Sequence, residues 1–314
     1  MTNSTLANST TAGEKVSRRR RRSSFTKKDR VVLFGLVGIP TALCFALVVI
    51  PAILTILLSF TFWDGIGGLK TIHWAGFQNY RQIFTLYEAF PKALRNNALW
   101  LVFFALIPTP AGIILAYFVD KKLKGTNFYQ TAFYLPMVLS LAVTGIVWDY
   151  IFRTNGLVNS LLGNTSAESA ISWFGDPHKN IWVVLGIASW RHVGYIMMLY
   201  LAGMKAVDPA LHEASAIDGA SDWYTFRKVI FPSLSAVNVI IVVVTVIDSL
   251  RAFDLVYIIN RGRNGLELLG VLVYENIFGE SSRIGWGAAL ATMLFMLSII
   301  PIMIYLYQTF KKDK

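Results

Sequence analysis

The sequence predicts an all-α integral membrane protein with six transmembrane helices. Of its 314 residues, 55% are hydrophobic and only 15% are charged, whereas a soluble globular domain carries about 25% charged residues. Six stretches reach the length of about 20 mostly apolar residues that a helix needs to cross a bilayer. Nine Trp and thirteen Tyr fit the aromatic belts found at the two membrane surfaces. Much of the surface is therefore expected to face lipid.

The six spans are predicted to be helical, because backbone groups in lipid must be hydrogen-bonded within their own segment. The first span is over-long and contains Pro40 and Pro51, so we expect it to tilt, kink or protrude from the bilayer. The predicted spans are residues 31–60, 97–119, 128–152, 181–203, 232–256 and 285–309.

The distribution of Lys and Arg predicts that both termini are cytoplasmic. With the N-terminus inside, the inner segments carry 18 of these residues and the outer segments carry ten. Cytoplasmic loops are enriched in Lys and Arg. The outer loops at about 61–96 and 153–180 are each large enough to meet an external partner.

The N-terminal segment, residues 1–30, is predicted to be a disordered basic cytoplasmic tail, separate from a transmembrane domain over 31–314. It is rich in Ser, Thr and Asn and holds nine of the 29 basic residues. Basic residues directly before an apolar span are typical of a cytoplasmic flank, so we expect no nucleic-acid partner. The apolar run from Val31 to Phe60 is too long for a signal peptide. Cys44 is the only cysteine, which excludes an intrachain disulfide.

The inner loop at 204–231 carries the strongest local signals in the chain. Asp208 is a good helix N-cap and Pro209 a good first helical residue. Gly219 can adopt a positive φ and end that helix, and a second helix is predicted from about Asp222 toward Pro232. The pattern predicts a helix–glycine–helix elbow at the membrane surface, and these signals alone leave open that it is only a structured connector.

The residues of this elbow resemble the EAA motif of binding-protein-dependent ABC importer permeases. Ser215 stands where the pattern has its second Ala, and Val229 and Phe231 replace its Ile and Leu. The spacings from Glu213 to Gly219 and from Gly219 to Pro232 are kept. The residues that carry the match are Glu213, Ala214, Ser215, Asp218, Gly219, Ala220 and Pro232.

Further segments are similar to the sugar-permease branch of that family, the maltose and glycerol-phosphate transporter type. The similarity covers about residues 31–310 and favours the partner with a Gly-x-x-Asn external loop. Residues 260–264 depart from it, since such permeases often have a Gly-Gly-Pro turn there. The similar segments are Phe133–Pro136, Gly156–Asn159, Trp190–Arg191 with Gly194–Tyr195, Leu201–Met204 and Phe253–Tyr257.

The resemblance implies a type I ABC importer permease bundle in a bacterial cell membrane. It implies that the elbow is the coupling helix, docked on a cytoplasmic ATPase subunit. The implied partners are a second permease, two ATPase subunits and an extracytoplasmic solute-binding protein. ATP and Mg would be bound by the ATPase subunits, and no cofactor by this chain, which lacks the Gly-Lys of a Walker phosphate loop. The implied solute is a sugar or oligosaccharide, and the alternative is another polar solute such as glycerol-phosphate or polyamine.

Charged residues inside the predicted spans are candidates for the transport path, because burying a charge in lipid costs at least about 2.5 kcal/mol. Arg191 lies midway along the fourth span, where it could line the path or form a structural ion pair. Asp248, Arg251 and Asp254 are predicted to share one face of the fifth helix, where lining the path and neutralising each other are both open. The candidate path residues are Arg191, Tyr195, Asp248, Ser249 and Arg251.

The sequence disfavours an enzyme or an ion channel. His212-Glu213 begins like a zinc-protease helix, but the position of the second histidine is Ala216. No Gly-x-Ser-x-Gly motif occurs, and there is no repeated pore loop. We therefore expect neither catalytic residues nor a metal site.

Overall fold

The computed structural model of the chain describes residues 26–66, 68–121, 125–166, 168–279 and 282–312. The chain forms two compact units, residues 1–52 and 53–314. Most of the predicted disordered tail, residues 1–25, lies outside the described residues. The predicted domain boundary after residue 30 stays a prediction.

The first unit is helical and apolar. Helix α1, Lys27–Cys44, begins at Thr26, whose hydroxyl accepts a hydrogen bond from Asp29 N (3.2 Å) while the Asp29 carboxylate accepts one from Thr26 N (3.0 Å). A wider π-helical turn, Phe45–Val49, separates α1 from α2, Ile50–Leu58. Pro51 cannot donate a backbone hydrogen bond, and wide turns of this kind relieve such a gap. No described side chain of residues 31–52 is buried, so this apolar surface needs lipid or another protein around it.

The second unit begins with a small hairpin and continues as helices. Strand β1, Thr61–Phe62, pairs antiparallel with β2, His73–Trp74, in the register Thr61 to Trp74. The helices are α3 Gln78–Leu86, α4 Ala89–Leu106, α5 Pro108–Asp120, α6 Thr126–Val138, α7 Leu141–Phe152, α8 Leu157–Leu161, α9 Asn180–Lys205, α10 Pro209–Ile217, α11 Asp222–Thr225, α12 Phe231–Ser233, α13 Ser235–Leu250, α14 Asp254–Asn260, α15 Leu269–Phe278 and α16 Ile284–Lys312.

Within the described residues, four helical segments are long and apolar enough to cross a membrane. Two further pairs of helices pass the same test together but are bent, by 101° at residues 139–140 and by 79° at residue 234. The number of candidate spans is therefore four, or up to six if each bent pair counts as one. The four unbent segments are Val31–Leu58, Ala89–Asp120, Asn180–Lys205 and Ile284–Thr309.

The third predicted span, residues 128–152, is wrong as a single straight helix. Helix α6 ends at Val138, and Ser140 caps a new helix by accepting a hydrogen bond from Val143 N (3.2 Å). Serine is a favoured N-cap when its own backbone is in the β region, and Ser140 is extended, with ψ 149°.

Helix α9 is the central helix of the second unit, with α4, α5, α6 and α13 packed against it. A Cβ atom at Gly194 would overlap the carbonyl oxygen of Phe133 on α6, so only glycine allows this approach. The side-chain amide of Asn180, at the first residue of α9, donates to Asn264 O (2.7 Å). The last residue of α9, Lys205, leads into the elbow. The loop at 261–268 and the elbow thus lie at opposite ends of a helix about 39 Å long.

Candidate functional site

The structure contains the helix–glycine–helix elbow at 206–233. Helix α10 starts at Asp208, whose carboxylate accepts a hydrogen bond from Ala210 N (2.9 Å), and Pro209 is its first residue. Gly219 has φ +72°, and a Cβ atom there would have no neighbour within 4 Å. Only the backbone conformation therefore demands glycine at this position. Ser221 caps the next helix by accepting from Tyr224 N.

The outer face of the elbow is exposed, and no other described part of the chain covers it. Ile217, an apolar side chain, is 85% exposed. Ser215 is buried, so this position needs a small side chain, and serine meets that need as well as the alanine of the motif. Of the other predicted coupling residues, Ala220 is half-buried, and Glu213, Ala214, Asp218, Gly219 and Pro232 are exposed.

The inner face of the elbow is fixed to α5 and α9 by aromatic rings. Phe226 lies 4.8 Å from the ring of Tyr117 on α5 and 6.2 Å from Tyr200 on α9. Lys121, at the end of α5, bonds to the carboxylate of Asp222 at 2.6 Å. This hydrogen bond raises the pKa of Lys121 above its usual value. Sequence reasoning missed Tyr117 and Lys121, because nothing in the chain order joins α5 to residues a hundred positions later.

A cavity of about 410 Å³ lies midway along α9, in the interior of the second unit. It brings together four of the five predicted path residues, Arg191, Tyr195, Asp248 and Arg251, and adds Asp254. The fifth, Ser249, is fully buried, and its hydroxyl donates to Thr245 O (2.6 Å) within α13. The remaining wall is Trp100, Phe104, Met137, Leu141, Ala188, His192, Ala252, Phe253 and Leu255.

Arg191 has no carboxylate partner among the described residues. Its one hydrogen bond is long, from the guanidinium to Met137 O (3.5 Å). Its Nε is buried and has no partner in the described part of the chain. The nearby Asp149 is paired with Arg153 (2.6 Å) and not with Arg191. The N–H groups of the Arg191 guanidinium that face the cavity can therefore donate to a solute.

His192 completes the polar wall of the cavity, and sequence reasoning overlooked it. The imidazole is buried, with Nε2 3.2 Å from the Thr109 hydroxyl and Nδ1 3.5 Å from the Asp248 carboxylate. The hydroxyls of Thr109 and Thr245 are 3.1 Å apart. When a threonine hydroxyl donates to Nε2, the proton of the neutral ring is on Nδ1 and faces Asp248. The sequence did contain a sign of this contact, namely two polar residues inside apolar spans: Thr109 at the start of α5 and His192 next to Arg191.

The prediction that Asp248, Arg251 and Asp254 share one helical face is wrong. Helix α13 ends at Leu250, residues 251–253 are not helical, and Asp254 starts α14. The buried amide of Asn97 on α4 replaces part of the lost hydrogen bonding by donating to the carbonyl oxygens of Ser249 (3.2 Å) and Leu250 (3.3 Å). Asp248, Arg251 and Asp254 all line the cavity, but they reach it from the end of α13, the non-helical link and the start of α14.

The Gly-x-x-Asn loop is held by Asn159. Its buried amide donates to the carbonyl oxygens of Arg153, Thr154 and Ile171, and its oxygen accepts from Ile171 N (3.1 Å). Gly156 lies so close to the end of α7 that a Cβ atom would come within 2.6 Å of Tyr150 O. The motif therefore has a structural explanation, which is the closure of this loop.

Among the described residues, no group of three or more His, Cys, Asp or Glu side chains is arranged to hold a metal ion. His192 and Asp248 form one close pair of such side chains, with Nδ1 3.5 Å from the carboxylate.

Residues 109–313 match the family described as binding-protein-dependent transport system inner membrane component. A probable ABC transporter permease protein of Pyrococcus horikoshii is 30% identical over 264 residues, 82% of this chain and 89% of that protein. The xylose/arabinose import permease protein XacH of Haloferax volcanii is 31% identical over 258 residues, 81% of this chain and 80% of that protein.

A solved structure has the same fold. One chain of a bacterial ABC transporter involved in the import of the acidic polysaccharide alginate matches with a TM-score of 0.75 at 18% identity. The match covers 92% of this chain and 98% of that one.

Proposed function

The chain belongs to the family of inner membrane components of binding-protein-dependent transport systems, and we propose that it carries a sugar or oligosaccharide across a bacterial cell membrane. It is a membrane-spanning transport subunit and not an enzyme. The observation that carries the proposal is the combination of an exposed elbow at one end of α9 with a polar, aromatic cavity at its middle.

The elbow is the coupling helix, through which ATP binding and hydrolysis in the partner subunit move this chain. Its exposed face combines small side chains, which allow close approach, with Glu213 and the projecting Ile217. In a protein interface the apolar side chains lie at the centre and the charged ones at the rim, and Ile217 and Glu213 would take these two places. The partner is a cytoplasmic ATPase subunit, which binds ATP and Mg, while this chain binds neither.

The path runs through the cavity at Arg191. Arg191 and Arg251 supply donors, Asp248 supplies acceptors, and Tyr195 supplies both from one hydroxyl. Trp100, Phe104 and Phe253 supply apolar faces. Polar groups at the edges of apolar surfaces suit a polyhydroxylated ring. Ser249 contributes indirectly, by closing the end of α13.

A second candidate solute is glycerol-phosphate, and one observation favours it. Arg191 and Arg251 both line the cavity, and neither forms an ion pair among the described residues, so they could hold a phosphate. Asp248 and Asp254 line the same cavity, so a polyamine stays an alternative, with the carboxylates and not the guanidinium groups as its partners.

The topology has six spans, each bent pair counting as one, with both termini in the cytoplasm. The excess of Lys and Arg in the inner segments supports this orientation. The full transporter contains a second permease, two ATPase subunits and an extracytoplasmic solute-binding protein. The largely exposed first span and its neighbours leave apolar surface for lipid and for the second permease.

Cysteine labelling in intact cells tests the orientation. The native Cys44 is exposed and is first replaced by Ala. Ile217→Cys on the elbow should then be protected from a membrane-impermeant maleimide, and Leu161→Cys, where the native side chain is 77% exposed at the end of α8, should be labelled. The reverse pattern would overturn the topology and the coupling role together.

Isolation of the complex tests the function. The chain, expressed with the genes beside it, should co-purify with an ATPase, and mass spectrometry should identify a carbohydrate on the solute-binding protein. Glu213→Lys should abolish both the co-purification and uptake while membrane insertion stays normal. A phosphate ester as the bound solute would select the second candidate, and failure to bind any ATPase would refute the transporter assignment.

A further inference from the structure

A second cavity, of about 650 Å³, lies away from the elbow, between the β1–β2 hairpin, α3 and the start of α16. Arg283 at this cavity bonds through its backbone N to Asn276 O on α15 (2.7 Å). The loop that leads into α15 is bonded to Asn180 at the first residue of α9. Eight of the eleven wall residues belong to the loop at 61–96, which the distribution of Lys and Arg predicts to be outside the membrane. Its wall is Phe62, Trp63, Asp64, Ile66, Thr71, His73, Asn79, Gln82, Arg283, Gly285 and Trp286.

Two buried polar atoms in this wall lack partners among the described residues, Asn79 Oδ1 and Trp63 Nε1. Asn79 is fully buried, and its NH2 group donates to Ser59 O (2.9 Å) and Thr61 O (2.8 Å). These two carbonyl acceptors fix the amide orientation, so the remaining atom has to be the oxygen. An unpaired acceptor and an unpaired donor thus lie in the wall of one cavity, and buried polar groups in proteins are normally paired.

The orientation of Gln82 is fixed in the same way. Its oxygen accepts from the indole N–H of Trp286 (3.2 Å), so its NH2 group is left to donate elsewhere. The ring of Trp286 packs edge-on against Tyr87 at 5.6 Å and carries the guanidinium of Arg283 at 4.9 Å. The cavity therefore has rigid indole surfaces with amide donors held beside them.

The charges around the cavity balance each other. Asp64 uses one carboxylate oxygen to accept from Ile66 N (2.9 Å). Arg283 forms no ion pair with any described residue. One acid and one base favour a neutral ligand over a polyanion or a polycation. A neutral ligand that donates and accepts at many positions and also has apolar ring faces is a carbohydrate.

We propose that this cavity is a carbohydrate-binding site, separate from the transport path, on the outer side of the membrane. Its volume lies within the range of about 300–1,000 Å³ that is typical of small-molecule sites. Asn79 Oδ1 can accept from one sugar hydroxyl and Trp63 Nε1 can donate to another, while the Gln82 amide binds a third. Such a site would hold sugar close to the entrance of the path.

Photo-crosslinking locates the site directly. The full chain in lipid nanodiscs is irradiated with a diazirine derivative of maltotriose, and cross-linked peptides are identified by mass spectrometry. Cross-links are expected in residues 62–82 and 283–286, and free maltotriose should suppress them. Trp63→Phe, which keeps an aromatic ring and removes the N–H, and Gln82→Leu should each lower the yield about tenfold, the effect expected when a bound hydroxyl loses its partner.

Matched controls lie on the same elements. Trp74→Phe, on β2 with the indole 73% exposed, and Gln78→Leu, exposed at the start of α3, are outside the cavity wall and should leave the yield unchanged. Cross-links confined to residues 188–195 and 248–255, cross-links that free maltotriose does not suppress, or no cross-link at all would overturn the second site. Uptake by the intact transporter tests the proposed function separately, since loss of cross-links at this cavity with normal uptake refutes only the second site.

Discussion

Replacing Arg191 by Leu should remove transport without removing stability. The structure gives the guanidinium no carboxylate partner among the described residues, and its one hydrogen bond, to Met137 O, is 3.5 Å long. A bond of that length contributes at most the low end of about 0.5–1.5 kcal/mol. Against this, its buried Nε is unpaired in the described part of the chain, which costs about 1–3 kcal/mol. Leu should therefore leave the midpoint of thermal unfolding unchanged or raise it.

The transport effect of the same substitution should be large. A hydrogen bond from a charged donor to the solute contributes about 1.5–3 kcal/mol, which corresponds to roughly a 10- to 150-fold loss in apparent affinity or rate. The assay is uptake of the identified solute into proteoliposomes that contain the complete transporter, with thermal unfolding of the same preparation followed by intrinsic fluorescence.

Arg153→Leu is the matched control, because Arg153 does not line the cavity and is paired with Asp149 at 2.6 Å on an exposed surface. It should change uptake little. An unstable Arg191→Leu complex that is rescued by neutralising Asp248 would identify a structural ion pair and refute the reasoning. A stable complex with normal uptake would remove Arg191 from the path.

Three further predictions test the elbow and the buried histidine. Gly219→Val should abolish uptake, because a β-branched residue at positive φ costs about 1–3 kcal/mol of backbone strain. Gly163→Val, with φ +75° and equally open space, should cost similar stability and leave uptake unchanged. Equal uptake by the two variants would exclude strain at the elbow as the cause. Asp222→Asn should slow uptake only a few-fold, since exposed ion pairs are weak, and exchanging the charges of Lys121 and Asp222 should restore it; no rescue would mean that the ion pair plays no part. His192→Leu should lower the unfolding midpoint more than His192→Gln, which keeps a donor and an acceptor, and the opposite order would contradict the hydrogen-bond network.

Sequence periodicity predicted helices well where a segment folds as one continuous element. The span at 181–203 and the helix Asn180–Lys205 agree within two residues at each end. The elbow was equally readable, because Asp208, Pro209 and Gly219 determine local backbone geometry by themselves. Breaks in a helix inside an apolar stretch could not be predicted from the sequence. The helix end at Leu250 depends on the amide of Asn97, which lies more than 150 positions away in the chain.

The candidate path residues were chosen mainly from the cost of burying charge, and that argument finds charged residues and misses neutral ones. Arg191 and Asp248 stand out in an apolar span because they are charged. His192 and Thr109 are compatible with an apolar span, and their importance appears only when α5, α9 and α13 are brought together at 3.2 and 3.5 Å. The function of Asn159 was hidden for the same reason, since its three acceptors belong to two different segments of a loop.

The route from the elbow to the cavity depends on which helix stays straight. Helix α13 is bent by 79° from the elbow helices at Leu234, so it is poorly suited to transmit a displacement. Helix α5 is continuous from Lys121, which is bonded to Asp222 of the elbow, back to Thr109, which contacts His192 in the cavity wall. We therefore expect a movement of the elbow to reach the cavity through α5, shifting the threonine that orients His192 and, through it, Asp248. A rigid helix with a polar contact at each end is the simplest physical link between energy input and the solute.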